Sequence, residues 1–223
     1  MQHAIEALVI TVALALQGAE LRSDAQALAQ PRGLATLVVG GVAAIAASST
    51  HDRWYDDLRG SWLLERPSDV TDVYGSSSFT LPITFGLWGG GRLLGHSAMA
   101  RLGSGLTRTL ALTQMIVAPI KLGVRRQRPD RSNRLSFPSG HTASTFAMAR
   151  YVQRQYGGRP SVPLYGLAVV TGAGRMEGNR HYLSDVLMGA AVGIAVGNVT
   201  GAPRGDRFRV TPTPGGVRAR LRF

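Results

Sequence analysis

The 223-residue chain contains no cysteine, only one lysine and few aromatic residues, 7% of the total. The absence of cysteine excludes disulfides, thiol nucleophiles and Cys-ligated zinc or iron–sulfur centres. Charged residues are also scarce, 17% against 44% hydrophobic. That balance excludes an intrinsically disordered chain, and the 28 glycines follow no Gly-X-Y period that would suggest collagen. Mean hydropathy is +0.04, high for a soluble enzyme and low for a protein made mostly of membrane spans. Composition therefore points to one domain with a sizeable core and leaves the membrane question to the pattern of the residues.

Acidic residues are rare in the second half. Residues 1–100 carry six Arg and nine acids, net −3, whereas 101–223 carry eighteen Arg, Lys121 and four acids, net +15. Such a field calls for an anionic partner, whether nucleic acid, lipid headgroups or a phosphorylated substrate. No nucleic-acid recognition module is present to support the first. The single lysine is notable because a compact ammonium is not interchangeable with guanidinium.

Apolar residues gather in runs of ten or more without strict alternation, which predicts helices. Six are expected: Leu34 to Ala47, Phe79 to Ala98, Leu106 to Val124, Thr142 to Tyr156, Val162 to Ala173 and Val186 to Val199. Ahead of them, Ile5 to Leu16 reads as a signal-peptide core, an anchor or a packed helix, the first disfavoured because no Lys or Arg precedes it, and Ser23 to Arg32 as a polar connector. The acidic stretch His51 to Asp72, with Trp54 and Trp62, reads as a solvated or interfacial segment. Gly189, Gly193 and Gly197 form a stripe that admits another backbone closely. Beyond Gly201, Val217, Ala219, Leu221 and Phe223 alternate with Arg218, Arg220 and Arg222, as in a short basic-faced β-hairpin at the C-terminus. The expected organisation is an N-terminal segment and connector over 1–33, a helical domain over 34–201 and a basic tail over 202–223.

If the helices span a membrane, the positive-inside rule puts Arg101, the Arg150 to Arg159 turn and the tail in the cytoplasm. Arg125 to Arg134, with five Arg, then falls outside, an exception dense enough to suggest chemistry.

Three clusters carry that chemistry. Lys121 is followed after six residues by Arg128 and Pro129. Pro138, Ser139, Gly140 and His141 come next, with Ser139 suited to cap a helix whose exposed amides favour an anion. Arg175 then precedes His181 and Asp185, the last two spaced to share a helix face. Each cluster alone has an ordinary structural reading. Together they supply three cations, a hydroxyl, amides, and two histidines of which one has a carboxylate to orient it, the requirements of covalent phosphoryl transfer.

The runs KLGVRRQRP from Lys121, PSGH from Pro138 and GRMEGNRHYLSD from Gly174 resemble the three-part signature of the type 2 phosphatidic acid phosphatase superfamily over 65 residues. That superfamily also includes class A acid phosphatases and vanadium haloperoxidases. One position departs: Gly174 stands where the family usually has serine, removing one potential hydroxyl donor, a loss that can cost on the order of 3 kcal/mol in the transition state.

The resemblance implies an all-α, six-helix bundle, transmembrane placement in a bacterial inner membrane, and catalytic loops facing the periplasm. It implies that His181 becomes a phosphohistidine, that Asp185 orients it, and that His141 serves as general acid and then activates water. Lys121, Arg128, Ser139, Gly140 and Arg175 are implied to hold phosphoryl oxygens, with no metal and no cofactor. The expected activity is hydrolysis of a phosphate monoester or diphosphate, of a lipid such as phosphatidate or an isoprenoid diphosphate. The alternatives are a soluble periplasmic acid phosphatase and a non-catalytic anion- or lipid-binding bundle.

Overall fold

The computed structural model describes residues 2–48, 74–202, 208–213 and 216–221. Within these the chain forms α1 (Gln2–Leu28), α2 (Pro31–Ser48), α3 (Ser77–Leu93), α4 (Ser97–Val124), α5 (Gly140–Tyr156), α6 (Gly158–Glu177) and α7 (Leu183–Thr200). Two strands, β1 (Phe208–Thr213) and β2 (Gly216–Leu221), pair antiparallel from Phe208 opposite Leu221 to Thr213 opposite Gly216. The acidic stretch from His51 to Asp72 lies outside the described residues.

All six expected helices form, but three boundaries differ. The Phe79 to Ala98 run is broken at 94–96, where Gly95 takes a φ of +71° that a side chain would resist. Consequently α4 starts at Ser97, and Arg101, expected in a loop, lies inside a helix. α6 runs on to Glu177, so Arg175 also sits on a helix, in its last turn. The third difference is the connector. Helix α1 continues through it to Leu28 with a break at Gln17 (φ −127°, ψ 22°). Its polar Asp24 is buried because Arg108, in the middle of α4, donates to it over 2.8 Å while also reaching the Thr200 carbonyl at 3.5 Å.

The glycine stripe of α7 faces the backbone of α5. A Cβ on Gly189 would meet the Ser139 carbonyl at 2.5 Å, one on Gly193 the Ala143 carbonyl at 2.3 Å, and one on Gly197 the Ala147 carbonyl at 2.6 Å. On another side of α7, Gly40 of α2 lets that helix settle against the Ala191 methyl. The resulting core gathers Leu21, Leu28, Leu112, Val117, Ala143, Val192, Ala195 and Val196. A second cluster joins Leu81, Leu110 and Met148.

Threonines lie among these apolar groups without cost because each hydroxyl is satisfied. Thr109 donates to the Gly105 carbonyl (2.7 Å) and its oxygen lies 2.8 Å from the Thr200 hydroxyl, Thr113 donates to the Thr109 carbonyl (2.8 Å), and Thr107 to Thr84 (3.1 Å). Two helices among the described residues, α2 and α7, are long and apolar enough to cross a membrane. They differ in surroundings. Helix α7 is mostly enclosed, whereas α2 turns Val38, Val39, Val42 and Ile45 outward, each more than 60% exposed.

Candidate active site

The three sequence clusters meet at one end of the bundle. Lys121 closes α4, which stops because Arg125 adopts a left-handed conformation (φ 49°) with its amide bonded to the Lys121 carbonyl. The chain then loops through 126–138 and re-enters the bundle at Ser139, the N-cap of α5. Helices α6 and α7 bring the third cluster to the same end, with His181 in the turn between them and Asp185 in the first turn of α7.

Single backbone bonds fasten these pieces. The Ser139 amide donates to the Asp185 carbonyl (2.9 Å), the Ser136 amide to the Arg126 carbonyl (3.0 Å), and the His181 amide to the Arg175 carbonyl (3.1 Å). The second and third clusters are therefore joined directly, across 46 positions of sequence.

A cavity of about 310 Å³ opens here, lined among others by Lys121, Arg128, Gly140, His141 and His181, with Val117, Ala118, Leu122 and Leu135 forming apolar walls. Lys121 Nζ is held at 2.6 Å by the Leu135 carbonyl. Arg128 Nε is buried with no protein hydrogen-bond partner. Ser139, Arg175 and Asp185 do not line the cavity but pack behind it. Ser139 is fully buried and its hydroxyl accepts from the Thr142 hydroxyl at 2.9 Å, a local N-cap arrangement.

His181 is almost wholly enclosed, 1% exposed, with Nδ1 3.6 Å from Asp185 Oδ2. That separation is just beyond a hydrogen bond, so an approach of about half an ångström would make one, as expected of catalytic contacts that tighten on binding. With Nδ1 turned to the carboxylate, Nε2 is the nitrogen left for the cavity. Burial pushes the His181 imidazole down to about 4; Asp185 works against that shift, while the cations Lys121, Arg175 and Arg128 reinforce it. His181 is thus a neutral, unprotonated base at neutral pH, the form a nucleophile requires. Burial also lowers the Arg128 guanidinium, helped by the neighbouring cations Arg175 and Arg180.

Two residues absent from the sequence-level set converge on Asp185. Arg126 Nη1 donates to Oδ1 at 2.8 Å and to Ser184 Oγ at 2.6 Å, with its guanidinium 4.0 Å from the Tyr182 ring centre. Ser136 Oγ donates to Oδ2 at 2.5 Å, and the Tyr182 amide to the same oxygen at 3.0 Å. Nothing in the sequence distinguishes Arg126 from the four other arginines of its run, and Ser136 belongs to no motif.

Among the described residues no three His, Asp or Glu side chains gather as a metal site requires. A larger cavity of about 430 Å³ lies at the turn between α3 and α4, lined by Trp88, Arg92, Arg101 and Ser104 among others, and offers neither histidine nor carboxylate.

Fold and site together define a helical bundle with a basic, histidine-lined pocket at one end. The sequence pattern of the PAP2 superfamily matches residues 103–207, which hold every motif residue. That match takes in just under half of the chain.

Among curated proteins, the lipid A 1-phosphatase of Porphyromonas gingivalis is 46% identical over 93 residues, 40% of this chain and 21% of that protein. The decaprenylphosphoryl-5-phosphoribose phosphatase of Mycobacterium tuberculosis is 38% identical over 104 residues, 42% of this chain and 56% of that protein. The chain thus spans between a fifth and just over half of the length of these relatives. Among solved structures, Aquifex aeolicus LpxE superposes with a TM-score of 0.55 at 21% identity, covering 68% of this chain and 94% of that one. A transmembrane PAP2-type phosphatidylglycerolphosphate phosphatase from Bacillus subtilis gives 0.53 at 20%, covering 84% and 93%. These two likenesses establish the fold.

Proposed function

We propose that the protein is a membrane-bound phosphatase that hydrolyses a lipid phosphate monoester or diphosphate through a phosphohistidine. The observation that carries this reading is the shared cavity, in which His141 and a neutral, carboxylate-backed His181 stand beside Lys121 and Arg128.

In the first step His181 Nε2 attacks phosphorus, the N–P bond forms as the P–O bond to the lipid breaks, and His141 gives its proton to the leaving oxygen. Asp185 stabilises the cationic imidazole that results. In the second step His141 takes a proton from water, whose oxygen attacks phosphorus, so that the N–P bond breaks and inorganic phosphate leaves with His181 neutral again. Lys121, Arg128 and the Gly140 amide at the start of α5 meet the charge on the transferring oxygens, with Arg175 adding its positive charge from behind the cavity and Ser139 fixing that helix end.

A lipid substrate is supported by the apolar walls Val117, Leu122 and Leu135, by the outward apolar face of α2, and by the lipid phosphates named for the relatives. Their substrates place lipid A-type and polyprenyl phosphates beside phosphatidate as compounds to assay. Arg101, Arg154 and Arg159 lie toward the opposite end of the bundle from the cavity, which supports a pocket opening on the extracytoplasmic side.

The test is phosphate release from phosphatidate and from a polyprenyl diphosphate in detergent micelles containing EDTA. Release by the wild type, absent in His181→Ala, with acid-labile label on the protein after a rapid quench, is the expected result. Full activity in His181→Ala, or no release by folded wild type from any lipid phosphate tried, would overturn the proposal.

A further inference from the structure

Five arginines crowd the loop after α4, and by charge alone all belong to the phosphate pocket. The structure sorts them. Arg128 lines the cavity, whereas Arg126, two residues earlier, is directed at the buried carboxylate behind it. Asp185 is fully buried, yet each of its oxygens is engaged: Oδ1 by Arg126, and Oδ2 by the Ser136 hydroxyl and the Tyr182 amide. A carboxylate held from several directions cannot rotate, and its Oδ2 is thereby kept 3.6 Å from His181 Nδ1. Arg126 is itself fixed by Ser184 Oγ and by stacking on Tyr182, both at the start of α7.

We infer that Arg126 and Ser136 are positioning residues for the transfer step, acting through Asp185 on His181 and not on the phosphoryl group. This rests on the phosphatase reading above. A flexible carboxylate would have to be ordered as the imidazole becomes cationic, and the fixed one needs no such reorganisation. The bond also ties the first cluster to the third, because Arg126 leaves the end of α4 and Asp185 opens α7. Arginine suits the task through its fork, which serves Asp185 and Ser184 from one nitrogen while the plane rests on a ring.

The charged groups facing His181 are Lys121 from α4, Arg128 from the loop, Arg175 from α6 and Asp185 from α7. Removing the Arg126 cation next to Asp185 strengthens the pull of that carboxylate on an imidazolium, so His181 becomes easier to protonate. The acid limb of activity then moves to higher pH.

The experiment uses the full chain in detergent with dioleoyl phosphatidate, or whichever lipid phosphate the wild type hydrolyses, and compares Arg126→Gln, Arg126→Lys and Ser136→Ala. Expected for Arg126→Gln is a ten- to hundredfold fall in kcat with KM changed less than threefold, and an acid limb of kcat/KM displaced upward. Competitive inhibition by inorganic phosphate should stay within twofold of wild type, because the pocket cations remain. Arg126→Lys keeps the charge and should hold the acid limb in place while restoring part of kcat. Ser136→Ala, which removes only a hydroxyl, should lower kcat alone, and it carries the test if Arg126→Gln does not fold.

Weakened phosphate inhibition in Arg126→Gln would make Arg126 a phosphate ligand and overturn the inference. So would kcat and acid limb unchanged in both Arg126→Gln and Ser136→Ala. An inactive, folded wild type overturns the phosphatase reading instead, a separate outcome.

Discussion

Gly189→Ala puts a single methyl where helix α7 crosses the start of α5. Its Cβ would lie 2.5 Å from the Ser139 carbonyl oxygen, with Thr142 Cβ at 3.3 Å. A carbon and a carbonyl oxygen rest at roughly 3.3–3.6 Å, so the two helices must part by about 0.8 Å or more. The obstacle is backbone and cannot rotate away. Overpacking of this kind costs about 1–3 kcal/mol, which for a chain of this size lowers the Tm by roughly 2–10 °C. The same displacement reaches the site, because the Ser139 amide is bonded to the Asp185 carbonyl and His141 follows two residues later. Misplacement near 1 Å can reduce rate by about a hundredfold, and a loss of ten- to hundredfold in kcat/KM is expected. Gly86→Ala is the control, since nothing lies within 4 Å of a Cβ there and helix propensity favours alanine by up to about 1 kcal/mol. The assays are thermal unfolding in detergent and phosphate release from the same preparations. If Gly189→Ala matches Gly86→Ala in both, close packing at the stripe does not position the site.

The remaining predictions concern charge. By NMR the His181 imidazole should titrate near pH 4, staying neutral through the range in which an ordinary histidine takes its proton; a midpoint at 6.5 or above would refute the burial argument. Because the unfolded chain binds that proton near pH 6.5 and the folded one does not until about 4, this group's contribution to stability is present above 6.5 and falls away as the pH drops between the two values. Asp24→Ala should destabilise by about 3–5 kcal/mol by leaving Arg108 buried without its carboxylate, and adding Arg108→Met should recover much of the loss. Equal unfolding temperatures for Asp24→Ala and the double variant would show that the unpaired guanidinium is not what destabilises the single variant.

Much of the fold was legible because apolar runs of helical length are written locally. The glycines at 189, 193 and 197 announced a close backbone neighbour, and α5 is that neighbour. What escaped depends on partners remote in sequence. Asp24 made its stretch look like a connector because the guanidinium that buries it lies 84 residues away. Gly95 and His96, interrupting the run ahead of Ser97, were the available sign of the break between α3 and α4. At the site, the cations and histidines lining the cavity came from recognisable motifs, and a backbone bond joins the second motif to the third. Arg126 and Ser136 did not stand out, since the left-handed turn at Arg125 decides which way the following arginines project. That turn has no signature in an arginine-rich run.

Helix α7 lies between α2 on one side and α5 on the other, and it carries the Asp185 end of the site. Elements made earlier are therefore completed by one made well after them. Until residue 183 and beyond have been made, α2 lacks the surface that Gly40 fits, the carbonyls of α5 lack the glycines that cover them, and Arg126 has no carboxylate to hold. The bundle's closure and the assembly of its pocket thus arrive together, once α7 has been made, and a chain interrupted before it yields helices without the complete site.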